Sequence, residues 1–383
     1  MTKKKMESIF FATRAIAPPW DEASKNMVWE IAKHLDHFSV TLLTYKNQQD
    51  LLDKPSLTYK KIYHSGASNS GVFGQITFRQ KCSFLSAFLF SNPSIYHFYF
   101  TSEKYSSKMF RIIKRFKPAK FLQTIATPVR NKEILPDLVF GDAVVVQSEY
   151  SLNLFKDKGI SNVSRIYPAI DTNCFKPGID TRELREQLKI FSNHQVVLFC
   201  GNYYLGCNDD LIETILALCK KKDTIKFILS CRIGFLKDIS ERERMKTIFR
   251  REGIIDNVIF FEKVENIKQL IEISDIHVFP ARKMLYKSDI PLVLLESLAM
   301  GKPIIITNIS PLNEIMKEDV GEVIPVGDTG QLVDSIIKLL DDEEIRINKG
   351  KKGREMIIRE FGLSNYISQY SALYNKLLGN SAS

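Results

Sequence analysis

Residues 289–308 combine a short apolar helix pattern with a buried strand pattern, and they constrain the fold more than any other segment. Proline suits the first position of a helix, where its missing N–H would be unpaired anyway, so Pro291 predicts the start of a buried helix over 292–300. Gly301 is placed to end this helix, because glycine enters the left-handed cap without strain. The apolar run 303–307 is typical of a central strand in a parallel sheet. This order of elements predicts an α/β protein.

One acid, Glu296, interrupts the apolar helix pattern of residues 292–300. A carboxylate is costly to bury unless it has a partner, so its presence here indicates a bound group. The start of the helix, at Pro291, Leu292 and Val293, is the kind of site where phosphate groups bind. A carboxylate about one turn further on is placed to hold ribose hydroxyls. The segment therefore predicts a bound nucleotide.

Strand-like and helix-like segments alternate along the chain, as in a doubly wound parallel sheet. The first half has strand patterns at 8–13, 39–44, 94–100, 120–127 and 143–148, and helix patterns at 24–35, 132–140 and 149–158. The second half has strand patterns at 195–200, 225–230, 258–261 and 276–279, and helix patterns at 181–189, 210–220, 239–252, 267–273, 331–341, 343–361 and 364–378. Residues 50–79 are the least regular, and the composition of 65–71 predicts a flexible loop. At 383 residues the chain exceeds one ordinary core, which predicts two domains.

The segment at residues 289–308 resembles the donor-site signature of retaining nucleotide-sugar glycosyltransferases of the GT-B type (group 1, family 4). In that family a Glu is followed, after seven residues, by a second Glu and an Ala-Met/Leu-Ala-x-Gly-x-Pro run. Glu296 matches the second Glu and residues 297–303 match the run, whereas Ser288 stands in the place of the first Glu. The resemblance implies an α/β fold of two Rossmann-like doubly wound domains that face each other across a cleft.

A further resemblance concerns residues 165–177, which are similar to the proline-containing interdomain hinge of the same family. It implies an N-terminal acceptor-binding domain at 1–175 and a C-terminal donor-binding domain at 176–362. The final segment, 363–383, contains an amphipathic helix pattern. In the family, such a helix crosses back to pack on the first domain.

The resemblance also implies roles for residues around the donor. Glu296 would bind the ribose hydroxyls, and Ser288 or the adjacent Asp289 would take the place of the sugar-binding Glu. Asp289 equally fits a structural role, since an acid ahead of a helix start stabilises it by about 0.3–1 kcal/mol through the helix dipole. Gly201 and Asn202, which follow a predicted strand, stand where relatives bind the diphosphate, but the Arg and Lys usual there are missing.

The positive charge for a diphosphate must therefore come from elsewhere on the chain. Lys287 directly precedes the donor segment, and Arg232 follows a predicted strand, at a sheet edge where ligands bind. Arg282 and Lys283 are further candidates, although each of the four also fits plain surface charge. The predicted catalytic residues are Lys287 and Arg232, which would neutralise the diphosphate, and Asp289, which would take the place of the sugar-binding Glu. In the family, the leaving phosphate itself can take the acceptor proton, so no separate protein base is required.

The loop after the first predicted strand, residues 17–26, resembles the acceptor-side loop of the family in position, with Glu22 and Ala23 in place of the usual glycines. Trp20 is placed to stack on a sugar ring. Ser24 fits the N-cap of the following helix, which is also its structural interpretation. The predicted acceptor-side residues are Trp20, Asp21, Glu22, Ser24 and Lys25.

The basic charge of the protein is confined to its first half. Residues 1–178 carry 25 Lys and Arg against 14 Asp and Glu, whereas the remaining residues carry 29 against 30. Residues 101–121 form a basic helix pattern with interleaved Phe and Ile. This pattern fits a solvated helix face, and it also fits attraction to an anionic membrane surface, to which each Lys or Arg contributes about 1 kcal/mol. Nucleic acid is disfavoured, because no aromatic RNA-binding signature or helix-turn-helix pattern is present.

Missing motifs disfavour two other protein classes. No Gly-x-Gly-x-x-Gly follows a strand, which disfavours a nicotinamide dehydrogenase, and no Gly-x-x-x-x-Gly-Lys-Ser/Thr loop occurs, which disfavours a nucleotide triphosphatase. No His, Cys and acid cluster has metal-site spacing, so neither a metal nor a bound cofactor is expected.

The six cysteines contain no CxxC pair and are interpreted as reduced. His97 is interpreted as a residue at the edge of the core. Without a signal peptide pattern or an apolar run of roughly 20 residues, a cytoplasmic protein is expected.

Together these observations predict an enzyme that moves a sugar, with retention, from a nucleoside-diphosphate sugar to an acceptor hydroxyl in glycan, polysaccharide or glycolipid synthesis. Its acceptor would be a glycan or a lipid-linked precursor, and its location the cytoplasm, with peripheral association at the inner face of the membrane. Two alternatives remain open. One is a non-catalytic scaffold of the same fold that serves as a binding or regulatory subunit, and the other is a sugar-nucleotide epimerase.

Overall fold

The computed structural model describes residues 6–380 except 19, 21, 65–77, 102, 128, 130, 263–265, 285 and 286. The chain divides into two compact units, of which the first contains residues 1–168 and 363–383 and the second contains residues 169–362. Residues 169–175, assigned to the first domain from the sequence, group with the second unit, where the Ile170 amide donates to the Phe361 carbonyl oxygen at 2.8 Å. The loop predicted at 65–71 lies outside the described residues.

The first unit is built on a parallel sheet. Its elements before the second unit are β1 (Ser8–Ala12), α1 (Ala23–His34), β2 (Ser39–Tyr45), β3 (Leu57–Tyr63), α2 (Phe78–Leu89), β4 (Ile95–Tyr99), α3 (Lys104–Lys114), β5 (Lys120–Ile125), α4 (Leu135–Leu138), β6 (Ala143–Val146), α5 (Glu149–Asp157) and β7 (Val163–Arg165). Within the described ranges the strand order is β3-β2-β1-β4-β5-β6-β7, with parallel pairing throughout. The order reverses between β1 and β4, which is the switch point of this sheet.

Several elements of the first unit differ from the prediction. β3 lies within the stretch 50–79, whose pattern was the least regular, and α2 begins at its end. Neither these two elements nor the three-residue strand β7 was predicted. The helix predicted at 132–140 is only a 3-10 turn at 132–134 followed by α4. Helix α1 begins at Ala23, with Glu22 as its N-cap residue, so the prediction that Ser24 caps this helix is wrong.

Aromatic side chains fill the face of the first sheet that α2 and α3 cover. The ring centroids of Phe88 in α2 and Phe110 in α3 are 5.7 Å apart. Both rings contact Phe98 of β4, at 5.7 and 4.9 Å, and all three are buried. Because one side chain of the sheet touches both helices, α2 and α3 lie side by side on the same face.

The second unit repeats the plan with a smaller sheet. Its elements are α6 (Arg182–Gln187), β8 (Gln195–Gly201), α7 (Asn208–Lys221), β9 (Ile225–Cys231), α8 (Leu236–Arg251), β10 (Val258–Phe261), α9 (Ile267–Ile273), β11 (Ile276–Phe279), α10 (Leu292–Ala299), β12 (Ile304–Thr307), β13 (Gly321–Ile324), α11 (Thr329–Asp341) and α12 (Glu343–Glu360). In the described part the parallel strands are ordered β10-β9-β8-β11-β12-β13, so the switch point lies between β8 and β11. The short strand β13 was not predicted.

The helix-glycine-strand segment at residues 289–308 folds almost as predicted. Gly301 has a φ of 71° after α10, which confirms its role in ending the helix. Pro291 is the N-cap residue of α10 rather than its first helical residue, whereas the helix itself starts at Leu292, as predicted.

The last helix of the chain is α13 (Leu363–Leu377), which belongs to the first unit. Tyr366, Tyr370 and Tyr374, spaced four residues apart, are buried. The Tyr374 hydroxyl lies 2.8 Å from His97 Nδ1, and the Tyr370 hydroxyl lies 3.1 Å from Thr124 Oγ1. His97 is therefore an interior residue, and burial lowers its pKa to about 3. None of the described helices is long and apolar enough to cross a membrane.

Candidate donor site

The carboxyl edge of the second sheet gathers the residues predicted to bind a donor. Gly201, at the end of β8, pairs with Cys231 at the end of β9, so the loops that begin at Asn202 and Arg232 leave the sheet side by side. On the other side of β8 lies β11, whose following loop leads through Lys287 to α10. This edge is the switch point of the sheet, where parallel α/β proteins bind their ligands.

Lys287 is a half-buried cation for which no ion pair exists among the described residues. Burial, and then repulsion by Arg232, lower the pKa of its ammonium group to about 8. The ammonium also lies within electrostatic range of the buried thiols of Cys200, Cys207 and Cys231. These neighbours place the charge at the ends of β8 and β9.

Glu296 is a half-buried acid in the second turn of α10, and it too has no side-chain partner in the described part of the chain. Burial raises the pKa of its carboxyl group to about 7. The carboxylate acts electrostatically on the thiol of Cys200, as the ammonium of Lys287 does. Both side chains are therefore close to the same end of β8. Shifted pKa values of opposite direction at one sheet edge are typical of functional sites.

The N-terminus of α10 offers backbone donors next to these side chains. Pro291, its N-cap residue, has no N–H, and the amides of Leu292 and Val293 make no hydrogen bond within the described residues. The Ser288 hydroxyl donates to the Ile290 carbonyl oxygen at 2.8 Å, which fixes the chain just before the helix. First-turn amides of a helix are suited to phosphate oxygens.

Asp289 occupies a different environment from the other predicted site residues. Its side chain is buried, with the residue only 1% exposed, two positions before the N-cap of α10. This position suits electrostatic support of the helix start. A direct contact between the Asp289 carboxylate and a sugar would require the loop to move.

Arg282 is held by an ion pair that the sequence did not reveal. Its Nε and Nη2 atoms donate to the two carboxylate oxygens of Asp210 at 2.8 and 2.6 Å, and the Asp210 side chain is only 5% exposed. The amides of Arg282 and Lys283 both donate to the Leu205 carbonyl oxygen, at 2.9 and 3.2 Å. Arg282 therefore joins the loops that follow β8 and β11.

Asn202 and an aromatic pair border the same edge. Asn202 Oδ1 accepts from the Tyr204 amide at 3.0 Å, so this side chain caps its own turn, while its amide nitrogen makes no hydrogen bond with the described residues. The Tyr204 ring packs edge-on against Phe235, with centroids 5.1 Å apart, and Lys237 Nζ lies 4.4 Å from the Tyr204 centroid. This aromatic pair was not predicted, although an aromatic residue shortly after each of two neighbouring predicted strands was a signal for it. No group of three or more His, Cys, Asp or Glu positioned to hold a metal ion occurs in the described part.

His277 of β11 connects the sheet to α10 and was also missed. Its Nδ1 lies 2.7 Å from Ser297 Oγ, and its Nε2 accepts from the Cys200 amide at 3.3 Å. Burial lowers the pKa of His277 to about 3, so the ring is neutral and Nδ1 carries the proton that it donates to Ser297. Since Ser297 directly follows Glu296, this bond fixes the turn that carries the carboxylate.

The predicted acceptor-side loop lies at the switch point of the first sheet, after β1. The Trp20 ring stacks on Trp29 of α1, with centroids 5.8 Å apart, and Trp20 remains 39% exposed. Lys25 Nζ lies 6.0 Å from the Trp20 centroid, and Glu22 is the N-cap residue of α1. Asp21 lies outside the described residues. The loop thus presents an aromatic surface with a cation beside it.

Comparison with known proteins identifies the class of the second unit. The sequence model of the family "Glycosyl transferases group 1" matches residues 180–356. N-acetyl-alpha-D-glucosaminyl L-malate synthase from Bacillus anthracis is 35% identical over 219 residues, which cover 57% of this chain and 54% of that protein. The chain thus spans about half the length of the curated relative it matches.

Solved structures extend the comparison to the whole fold. Sucrose-phosphate synthase from Thermosynechococcus elongatus superposes with a TM-score of 0.75 at 17% identity, covering 97% of this chain and 99% of that one. HepE from Anabaena, solved in complex with UDP and glucose, superposes with a TM-score of 0.72 at 16% identity, covering 96% and 99%. These similarities confirm the predicted GT-B type fold of two Rossmann-like units.

Proposed function

The second unit is a glycosyl transferases group 1 domain in a chain of the GT-B type, and from this premise we propose that the protein transfers a sugar from a nucleoside-diphosphate sugar to an acceptor hydroxyl. The observation that carries the proposal is the placement of Lys287 and Glu296 at the switch point of the second sheet. Each is desolvated without an ion-pair partner among the described residues, which weakens a fold unless a ligand compensates. The ribose hydroxyls of a nucleoside diphosphate can donate to the Glu296 carboxylate, and its phosphate groups can balance the charge of the Lys287 ammonium.

The two parts of the donor would bind different groups. The ribose hydroxyls donate to the Glu296 carboxylate, while the diphosphate accepts from Lys287 and from the amides of Leu292 and Val293. Arg232, exposed at the start of the neighbouring loop, adds a second cation. The Arg and Lys that the family resemblance implies after the strand ending at Gly201 are missing here, so this chain would neutralise the diphosphate from the β9 and β11 loops instead.

The transfer would proceed with retention at the anomeric carbon. The acceptor oxygen forms its bond to this carbon on the face from which the bond to the phosphate oxygen breaks, and the acceptor proton passes to that phosphate oxygen. Positive charge at Lys287 and Arg232 stabilises the leaving diphosphate. No metal takes part in this scheme, so transfer should persist in EDTA.

The acceptor in this proposal is a glycan or a lipid-linked precursor, bound by the first unit. The stacked, partly exposed Trp20 supports a sugar-containing acceptor, since aromatic rings pack well on sugar faces. The reaction would take place in the cytoplasm, with peripheral association at the inner face of the membrane for a lipid-linked acceptor.

The first test is the thermal stability of the protein with UDP, GDP, ADP, CMP and dTDP. UDP is the leading candidate because it occupies a protein of the same fold. Binding to the folded state alone raises stability by about 2.7 kcal/mol at a hundredfold excess over Kd. We expect one nucleotide to raise the melting temperature, and Glu296→Gln to reduce this shift strongly. Glu355→Gln, at an exposed position of α12, is the matched control and should behave as the unmodified protein.

The result separates the proposal from its alternatives. Flat traces with all five nucleotides would contradict it and favour a non-catalytic scaffold. A shift accompanied by turnover of the nucleotide sugar without any acceptor would instead identify an epimerase. A shift with sugar transfer, analysed for the anomeric configuration of the product, would establish the reaction and its stereochemistry.

A further inference from the structure

Large apolar side chains are unusually exposed on one face of the first unit. Four of the five large apolar residues at least 80% exposed in the described part of the chain are Phe78, Phe90, Tyr105 and Phe116, on or next to α2 and α3. Leu89 and Ile112, on the same helices, are 42% and 50% exposed. Single exposed apolar residues are common, but a cluster of this kind marks an interaction surface.

Cations accompany these side chains almost without acids. Residues 78–121 contain nine Lys and Arg, and Glu103 is their single acid. Four of the nine cations are held by described partners, for example Lys104 by Asp137. The other five are exposed and form no ion pair with described residues: Arg79, Lys81, Lys108, Arg115 and Lys120. An ordinary solvated helix face would carry both signs of charge.

The two helices bring these groups into one continuous surface. α2 and α3 lie side by side through Phe88 and Phe110, and Lys117 Nζ donates to the Leu89 and Ser91 carbonyl oxygens at 2.7 and 2.8 Å. The last bonds bring the end of α2, with Phe90, next to the segment after α3 that carries Phe116. On α3, exposed residues recur at Tyr105, Lys108 and Ile112, which is the spacing of one helix face, and the exposed Arg115 and Phe116 directly follow the helix.

We propose that this α2–α3 surface docks on an anionic lipid bilayer, with the aromatic and aliphatic side chains in the headgroup layer and the cations on lipid phosphates. Helices that lie in a membrane interface combine these two kinds of residue. The proposal gives a structural basis to the peripheral location that is part of the proposed function. It concerns one unit and requires neither donor nor acceptor.

The apolar residues distinguish a bilayer from other anionic partners. A nucleic acid would be bound by cations and by rings that stack on bases, but the aliphatic Leu89 and Ile112 offer no stacking. Insertion into the headgroup layer removes rings and aliphatic chains from water alike. Charge and apolar area on one surface therefore fit a lipid bilayer best.

The proposal is tested by sedimentation of the full-length protein with sucrose-loaded vesicles. One set contains phosphatidylcholine alone and the other phosphatidylcholine with phosphatidylglycerol. We expect binding to the anionic set, weakened by salt. The double variant Lys108→Glu and Arg115→Glu should lower the partition coefficient at least tenfold, since each cation contributes about fivefold. The double variant Phe90→Ser and Phe116→Ser should lower it as well, although it leaves the charge unchanged.

Matched variants on the second unit provide the controls. Lys220→Glu with Lys221→Glu makes the same charge change at exposed positions of α7, and Ile347→Ser removes an apolar residue of α12 that is 61% exposed. Both should bind vesicles like the unmodified protein. Equal loss in the Lys220 and Lys221 variant would reduce the effect to net charge and overturn the proposal. So would absence of binding to anionic vesicles, or retention on heparin and RNA with no vesicle binding. Sugar transfer to a soluble acceptor, measured separately, would report on the proposed function alone.

Discussion

His277 Nδ1 and Ser297 Oγ are 2.7 Å apart and join the central strand β11 to the helix that carries Glu296. On its other side the same ring accepts from the Cys200 amide of β8. The backbone pairing of β8 with β11 covers only Ile276–Val197 and His277–Leu198. Beyond these two pairs the backbones of β8 and β11 are no longer paired, and the His277 ring supplies the next contact between the two strands. This contact lies next to the candidate site.

Ser297→Ala is expected to weaken nucleotide binding without removing a group that touches the ligand. The variant leaves the His277 N–H unpaired in the core, which costs about 1–3 kcal/mol of unfolding free energy. Loosening of the α10 turn should raise the nucleotide Kd about tenfold, a loss of about 1.4 kcal/mol. Urea unfolding and isothermal titration would measure the two effects.

Ser274→Ala is the matched control for this prediction. Ser274 is equally buried, but its hydroxyl donates to the Ile271 carbonyl oxygen at 2.7 Å, within one turn of its own chain segment. It should lose some stability and keep the nucleotide Kd. An unchanged Kd in Ser297→Ala would contradict a positioning role for His277.

The affinity for a nucleoside diphosphate is expected to peak between about pH 7 and pH 8. The ligand favours the ionised form of Glu296, whose pKa is about 7, so binding weakens by up to about tenfold per pH unit below that value. It also favours protonated Lys287, whose pKa is about 8, so binding weakens again as pH rises above it. Isothermal titration from pH 5 to pH 10 would record both limbs.

Two substitutions assign the limbs of this profile to residues. Lys287→Gln should remove the alkaline limb, and Glu296→Gln should remove the part of the acidic limb that belongs to the protein. What remains in Glu296→Gln is the titration of the nucleotide's own terminal phosphate, near pH 6. A profile that keeps both limbs in these variants would show that other groups titrate.

Glu296→Gln should stabilise the ligand-free protein at alkaline pH. The pKa of Glu296 is about 7 in the fold against an ordinary 4.5, so the folded state binds more protons between these values. Stability therefore falls as pH rises from 4.5 to 7 and stays low above. The glutamine of the variant does not titrate and so does not lose this stability. The melting temperature of Glu296→Gln should therefore exceed that of the unmodified protein at pH 8 and approach it at pH 5. A difference in melting temperature that is the same at pH 5 and pH 8 would contradict a raised pKa of Glu296 in the folded state.

The donor segment could be predicted from sequence because its signals are local. Pro291, the apolar run and Gly301 lie within a dozen residues, and Glu296 stands out against an apolar background. The Arg282–Asp210 ion pair and the His277–Cys200 bond join residues more than 70 positions apart, and only the folded sheet brings them together. The hydrophobic periodicity of a sequence does not indicate which distant residues will pair.

The missed strands have a different explanation. β3 is an edge strand with the polar sequence Leu-Thr-Tyr-Lys-Lys-Ile-Tyr, and β7 and β13 are edge strands of three and four residues. Edge strands are solvated on one side and carry the charges that discourage pairing with other chains, so their apolar pattern is weak. The central strands, buried on both faces, were all predicted from their apolar runs.

Tyr374→Phe is expected to destabilise the first unit although it removes one oxygen from a helix near the end of the chain. The variant leaves His97 Nδ1 unpaired where both residues are fully buried, at a cost of about 1–3 kcal/mol. Tyr105→Phe makes the same change at an 87% exposed position and should be neutral within about 0.5 kcal/mol. Urea unfolding of both variants, followed by the fluorescence of Trp20 and Trp29, would report on the first unit. Equal midpoints would contradict the importance of the tyrosine contacts.

The position of α13 has a consequence for how the protein is made. The first sheet leaves the ribosome early, but the tyrosines that cover His97 and Thr124 are encoded after the entire second unit. The second unit is continuous in sequence and holds all its own contacts once residue 362 has emerged. The unit that begins first is therefore completed last, and a truncation before Leu363 would damage the amino-terminal half of the protein while sparing the half next to the cut.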